Sequence, residues 1–400
     1  MLYYQENLNL ERGTEAMEKV RLGIIGVGGM GQGHAAMQEQ IEETELTCVC
    51  DIDEATCKRV AEQYGVPGFT RHEDLLDSGL VDAVLIATPH YFHPPIAIDA
   101  MRRGLHVLSE KPIAVTVKAA DEMIAAARET GVKFGVMFQM RTERSYRIAR
   151  RAIEEGIVGE IYRTHMVMGW YRSQAYYDSA TWRATWTGEG GGVLLNQAPH
   201  NLDTFTWLGG MPARVTAQVR TRLHDIEVED EAFAILEYPN GAHGYLYTSV
   251  TEAPGVSQTE ICGDRGKVLI EGGSVRVFRL KQPRSEFTVQ TDSMWGAPEA
   301  EEIELEVPEM PSGHATITRN FARAILYDEP LIVAGPEGLN GLELSNAMIL
   351  SGKRGKPVDL PVDREEYEAL IAELKATSRR KETVRPQTVT DPNIAAGGTH

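Results

Sequence analysis

Cysteine is scarce in this chain of 400 residues. Cys48, Cys50, Cys57 and Cys262 show neither a C-x-x-C pair nor regular spacing, which excludes a disulfide framework and leaves them as reduced, mostly packing residues. Long apolar runs are missing too, so no stretch reaches the length that spans a bilayer. Residues 1–16 are polar, carry Glu6, Glu11, Arg12 and Glu15, and lack the apolar core and small-residue cleavage site of a secretion signal. Positive charge is in deficit: 40 Lys and Arg stand against 58 Asp and Glu, a net charge of −18. Such a surface repels phosphate backbones and anionic lipid, which argues against nucleic acid and membrane as partners. No internal repeat is visible. Together these absences predict a cytoplasmic globular protein, and its length predicts two domains.

What is present centres on residues 20–34. The apolar run Val20–Ile25 ends in Gly26-Val27-Gly28-Gly29-Met30-Gly31, a G-x-G-x-x-G turn from a strand into a helix. Glycine at the second position lets backbone approach a pyrophosphate, glycine at the third lets helix and strand pack closely, and the helix start offers free N–H groups to the anion. Leu46–Cys50 reads as a second strand, and Asp51 follows it about twenty residues after the last glycine, where an acid grips a ribose 2′-hydroxyl. Asp51 also repels a 2′-phosphate and Ile52 replaces the arginine that would welcome one, so NAD is favoured over NADP. The competing reading of Asp51 is a surface acid or part of the cap of the next helix.

Further strands are expected at 82–87, 105–108 and 133–138, alternating with helices 54–64, 94–103 and 117–130 that each end before a glycine. This is a doubly wound Rossmann pattern, whose ligands lie beyond the carboxyl ends of the strands. That rule singles out Thr88-Pro89-His90, Glu110-Lys111-Pro112 and Gln139-Met140-Arg141. A helix at 146–155 precedes a change to period-two strands at 161–168, 214–221, 232–238, 243–249, 260–262, 267–270 and 275–280. Helices at about 315–327 and 339–351 are expected to cover one face of that mostly antiparallel open sheet. The boundaries are an extension at 1–19, which reads either as loose chain or as an upstream start, a dinucleotide-binding domain at 20–141, an α+β substrate and oligomerisation domain at 142–377, and a mobile tail at 378–400.

Four blocks carry a resemblance to a known family. They are the glycine turn, Ala87-Thr88-Pro89-His90-Tyr91-Phe92-His93, Gly104-Leu105-His106-Val107-Leu108-Ser109-Glu110-Lys111-Pro112, and Gly190-Gly191-Gly192-Val193-Leu194-Leu195-Asn196-Gln197-Ala198-Pro199-His200-Asn201-Leu202-Asp203. The chain resembles the glucose-fructose oxidoreductase, inositol dehydrogenase and rhizopine-catabolism (Gfo/Idh/MocA) family over most of residues 20–360. The resemblance implies oxidation or reduction of a sugar or cyclic polyol at one carbinol carbon, a sheet domain that forms the substrate site, and a homo-oligomer, dimer or tetramer, built through that sheet. Of the segments that the strand-end rule singles out, Thr88, Pro89, His90, Glu110, Lys111 and Gln139 are expected to border the nicotinamide cofactor, and His93 with them.

Hydride transfer from a secondary alcohol needs a base for the hydroxyl proton and a cation near the developing negative oxygen. His200 is assigned as that base and Lys111 as the cation, with the reverse division open. Asn196 stands where many relatives carry an aspartate four residues before the histidine, so proton relays through a carboxylate there are in doubt. Asn196 is read either as a substrate contact or as a residue positioning the next helix. Trp182 and Arg183 suit stacking on a sugar or nicotinamide face and donation to hydroxyls, with Tyr171, Tyr176 and Tyr177 as further wall residues. His90 and His93 lack the carboxylate or cysteine that would complete a metal site, and none is expected. His314 reads equally as a residue facing the site or as a helix start. Two rivals remain: an enzyme that keeps NAD tightly bound and uses transient oxidation for isomerisation, transhydrogenation or glycoside cleavage, and a sensor of sugars or nucleotides that retains the fold without the chemistry.

Overall fold

A computed structural model describes residues 18–379. The extension expected at 1–19 therefore lies almost wholly outside the described residues, as does all but the start of the tail.

The first sheet is parallel throughout. Its strands are β1 (Val20–Ile25), β2 (Thr44–Cys50), β3 (Gly68–Phe69), β4 (Ala83–Ile86), β5 (His106–Ser109) and β6 (Phe134–Val136), in the order β3-β2-β1-β4-β5-β6. Leu22, Ile24, Val84, Leu85 and Val107 have no exposed surface, as strands covered on both faces require. Each such side chain contributes about 1.5–3 kcal/mol of burial free energy. Chain order reverses between β1 and β4, and the segments after β1, β4, β5 and β6 open on the same edge.

The second sheet is mixed and has nine strands. Its members are β7 (Ile161–Tyr171), β8 (Arg214–Arg220), β9 (Glu231–Glu237), β10 (His243–Ser249), β11 (Thr251–Gly263), β12 (Gly266–Glu271), β13 (Ser274–Leu280), β14 (Ala300–Ile303) and β15 (Val358–Asp359), in the order β14-β13-β12-β11-β7-β10-β9-β8-β15. Every pair is antiparallel except β7 with β10. Along β9 the buried Ala232, Ala234 and Leu236 alternate with the exposed Phe233 and Ile235, so one face meets the core and the other meets solvent. Helix Gly338–Arg354 covers the inner face, where Ser351 Oγ accepts from Ala217 N at 2.9 Å. The acidic run 299–306 supplies the edge strand β14, whose Glu301 and Glu302 pair with Arg279 and Arg276.

One expected placement is corrected. Helix His314–Tyr327 covers the first sheet rather than the second: Phe321 lies beside Gly135 of β6, Arg319 donates to Gln40 O at 2.7 Å, and Arg323 pairs with Glu43. Its apolar stripe, including Ile317, Phe321 and Ala322, fills a flank of the parallel sheet that local periodicity could not assign to either domain. A helix at Arg364–Thr377 also returns, with Arg364 paired to Asp121. Ser378, at the start of the expected tail, is fixed to Glu227 Oε2 at 2.6 Å.

Candidate active site

The glycine turn has different requirements at each position. Gly26 has φ +86°, and a Cβ there would strike the backbone of Ala87. Gly31, in the first turn of helix Gly29–Met37, is pressed against the Gly26 carbonyl, which a Cβ would hit. Gly28 is exposed and a Cβ on it would meet no protein atom within 4 Å. Space for an anion therefore lies over Gly28, with Val27, Gly29 and Met30 around it and no side chain capping the helix start.

Asp51 follows β2 beside this turn. Its Oδ2 accepts from Val27 N at 2.9 Å and its Oδ1 from Asp53 N at 3.0 Å, while Ile52 is 92% exposed. After β4, Thr88 Oγ1 is buried with no hydrogen-bond partner among the described residues. An open anion cradle, an acid at the strand tip and an orphaned hydroxyl fit a bound dinucleotide.

Two residues expected at the cofactor are instead spent inside the protein. The His93 ring is wholly buried, its Nδ1 2.9 Å from Pro112 O and its Nε2 2.7 Å from Thr88 O. Glu110 is 5% exposed, with Oε1 2.7 Å from His34 Nε2 and Oε2 accepting from Lys111 N at 3.1 Å. Burial pushes this carboxyl up, but the His34 contact outweighs it and holds the group down at about 2. Glu110 thus anchors the base of Lys111. His90 is likewise buried, its Nδ1 3.0 Å from Glu189 O, and desolvation lowers its pKa to about 3. Among the described residues no group of three or more His, Cys, Asp or Glu could hold a metal ion.

Lys111 follows β5, and its Nζ donates to the backbone carbonyl of Asn196 at 3.1 Å. Asn196 belongs to the helical turn Val193–Gln197, which runs directly into helix Pro199–Gly209 and so carries His200. From the other side, Gln139 in the turn after β6 brings its amide Nε2 to 3.3 Å from His200 Nε2. The same turn clamps the helix through Arg141, which makes a bidentate pair with buried Asp203 at 2.7 and 2.8 Å. His200 packs edge-on against Phe138, ring centres 5.7 Å apart. Burial lowers the pKa of Lys111, Glu110 opposes that shift, and the charges of Arg183, Glu189 and Arg172 also act on it.

Beside the Lys111–Asn196 contact, residues 172–200 build a wall of aromatic and cationic side chains. Arg183 lies over Tyr176, 4.3 Å from its ring centre, and over Trp182 at 4.7 Å, and donates to the Tyr176 hydroxyl. Gln197 donates to the same hydroxyl at 2.7 Å. Tyr177 is buried behind Tyr176 and packs edge-on against His224, and Tyr171 is 51% exposed at the end of β7. Of the three tyrosines expected in the wall, Tyr176 is the one that the short helix Gln174–Tyr177 brings against Arg183 and Gln197.

Glu189 was not anticipated. It has no exposed surface; one oxygen accepts from Ala184 N at 2.6 Å and the other from the Asn196 side chain. Burial raises its pKa to about 7. The Asn196 side chain thus positions the turn, and the carboxylate missing at 196 has a counterpart beside it. Glu229 performs a parallel task, accepting from Gly192 N at 2.9 Å and Leu194 N at 3.1 Å. An acid directly before three glycines was the available signal for Glu189, but in sequence it reads as a solvated loop. His314 is buried at the start of its helix, its ring 5.5 Å from that of His34.

Residues 20–138 match the NAD-binding Rossmann fold of the GFO/IDH/MocA oxidoreductase family, and residues 146–269 match the C-terminal domain of that family. The chain is similar to inositol 2-dehydrogenase of Rubrobacter xylanophilus, 30% identical over 275 residues that cover 66% of this chain and 74% of that protein. It is also similar to 2,7-anhydro-N-acetylneuraminate hydratase of Escherichia coli, 30% identical over 56% of this chain and 59% of that enzyme. The WlbA dehydrogenase from Bordetella pertussis, solved in complex with NADH and UDP-GlcNAcA, superposes with a TM-score of 0.74 at 29% identity, covering 86% of this chain and all of that one. The glycine turn, the lysine block and the histidine helix, matched across both domains, make this chain a member of the GFO/IDH/MocA family of NAD-binding oxidoreductases.

Proposed function

We propose that the protein oxidises a secondary hydroxyl of a sugar, glycoside or inositol-like polyol with NAD. The observation that carries this reading is the Lys111 contact: an amine from the nucleotide-binding domain donates to the Asn196 carbonyl at 3.1 Å, four residues before His200 of the second domain. Gly26, Val27, Gly28, Gly29, Met30, Gly31, Asp51, Ile52, Thr88 and Pro89 hold the dinucleotide, which when bound supplies the hydride acceptor. His200 takes the hydroxyl proton, and the Gln139 amide beside Nε2 governs which ring nitrogen carries the proton. Lys111 places positive charge at the oxygen as it becomes alkoxide-like. The test is NADH absorbance at 340 nm across sugars, anhydrosugars, glycosides, inositols and sugar acids. No NADH formed and none of these compounds consumed, with ligand binding intact, overturns the enzyme reading in favour of a sensor.

The likeness to a hydratase favours a second reading, in which NAD stays bound and is reduced only transiently. Substrate consumed without net NADH supports it, and NADH released on every turnover sinks it.

The open face of the second sheet supports a homo-oligomer. Phe233, Ile235 and Tyr245 are 41, 48 and 38% exposed, Ile235 pairs with Tyr245 across β9 and β10, and His165 stacks on Tyr245 at 4.2 Å. A second copy covers this face. Ile235→Glu should shift the sedimentation coefficient to that of a smaller species, and an unchanged value rejects this face. Four free buried cysteines suit a cytoplasmic location. Among the described residues no helix is long and apolar enough to cross a membrane.

A further inference from the structure

Three cations meet at the substrate end of the cleft. Arg172 and Arg183 flank the Tyr176 ring at 5.5 and 4.3 Å from its centre, and both lower the pKa of Lys111 through their charge. Neither guanidinium forms an ion pair among the described residues, although the protein as a whole carries an excess of acid. Their polar partners among the described residues are neutral: Arg172 donates to Tyr171 O at 3.3 Å, and Arg183 donates to the Tyr176 hydroxyl. Arg183 Nε is buried with no partner. Glu189 forms no ion pair with either: its oxygens accept from Ala184 N and the Asn196 side chain, its charge acts on Arg183 only from beyond ion-pair distance, and one carboxylate does not balance three cations.

An unpaired, partly buried guanidinium next to two like charges is unfavourable unless an anion joins it. The dinucleotide's phosphates do not meet that need, because their cradle is the glycine turn of the first domain, whereas Arg172 and Arg183 belong to the second. We infer that the substrate is an anionic carbohydrate, whose carboxylate or phosphate is received by Arg183 and Arg172 while its carbinol carbon faces Lys111 and His200. This rests on the dehydrogenase reading for the carbinol end only. The Tyr176 and Trp182 rings fix the guanidinium planes, so the fork is preorganised for a planar or tetrahedral oxyanion.

The experiment compares matched compounds: glucose with glucuronate and glucose 6-phosphate, and galactose with galacturonate, scored by NADH formation. At least one anionic member should exceed its neutral parent in kcat/KM by about 100-fold, the scale of a charge-assisted hydrogen-bond pair. The carboxylate and phosphate arms then identify which anion is read. For that compound, Arg183→Ala and Arg172→Gln should raise KM at least about 10-fold with little change in kcat, and leave NADH affinity unaltered. Neutral parents turned over as well as their acids, or variants that depress both alike, overturn the inference. If nothing is turned over, titrating the NADH-loaded protein with the same compounds separates the two claims. Anion-selective binding lost in Arg183→Ala upholds the charge class while the dehydrogenase reading falls, and equal or absent binding of acid and parent rejects the charge class itself.

Discussion

The two walls of the cleft solve their problems by different means. On the nucleotide wall, backbone does the work: Gly26 needs a positive φ, Gly31 needs the absence of a side chain, and Gly28 leaves space that no protein atom fills. On the substrate wall, side chains do it, with buried carboxylates tying loops from within and cations left facing the cleft. A backbone device tolerates almost no change at its few positions, whereas a side-chain device spreads its energy and its specificity over many. Lys111 and His200 sit where the walls meet, and substitutions there should have the largest effect. Lys111→Ala and His200→Ala should each lower kcat/KM by about 10²–10⁴-fold with NAD affinity nearly intact, measured by steady-state kinetics and fluorescence titration. A variant at wild-type rate would remove that residue from the chemistry.

The backbone wall can be split by a pair of alanines. Gly31→Ala drives a Cβ into the Gly26 carbonyl, so it should lower the melting temperature and abolish NAD binding together. Gly28→Ala meets nothing in the protein, so the melting temperature should hold while NAD affinity falls about 10-fold or more. Equal loss of stability in both variants would show that the space over Gly28 is a requirement of the fold and not of the ligand. Asp51→Ala probes the same wall with a smaller effect. It should raise the KM for NAD and move the NADP-to-NAD preference by about 10-fold, since a charge and its hydrogen bonds are lost at the tip of β2.

This contrast also explains what could be read from the chain in advance. The placement of the glycine turn, Asp51, Lys111 and His200 was legible because each demand is local: a tight turn, an acid following a strand, and a lysine and a histidine in fixed blocks. Most strands of both sheets were legible from periodicity, but the short β3, β14 and β15 were not among the expected strands, and β11 is longer than expected because Thr251–Ser257 is too polar and irregular to announce pairing. Helix His314–Tyr327 was found but given to the wrong sheet, since amphipathicity says that a face is buried and not against what. His93 and Glu110 were placed at the cofactor because they flank its motifs, yet their polar atoms serve Thr88, Pro112, His34 and Lys111. Glu189 escaped altogether: its role depends on Ala184 and Asn196 folding back over it, and no spacing rule encodes that closure.

Glu189 supplies the finest test, because it asks whether the substrate wall is held by a charged or a neutral acid. Desolvation raises its native pKa to about 7 from the ordinary value of 4.5 to which the unfolded chain returns. The native state therefore holds this proton more tightly than the unfolded state does, so between pH 4.5 and 7 the group withdraws stability as pH rises. Glu189→Gln removes that titration. Its amide also faces a backbone donor at Ala184, which costs stability by a constant amount at every pH. The informative quantity is accordingly the slope: from pH 5 to pH 8 the difference between variant and wild type should move in the variant's favour by about 2 kcal/mol, followed by denaturant titration. Parallel curves would mean that the two N–H donors keep Glu189 ionised in the folded protein, and the wall would then carry a fixed negative charge beside its three cations.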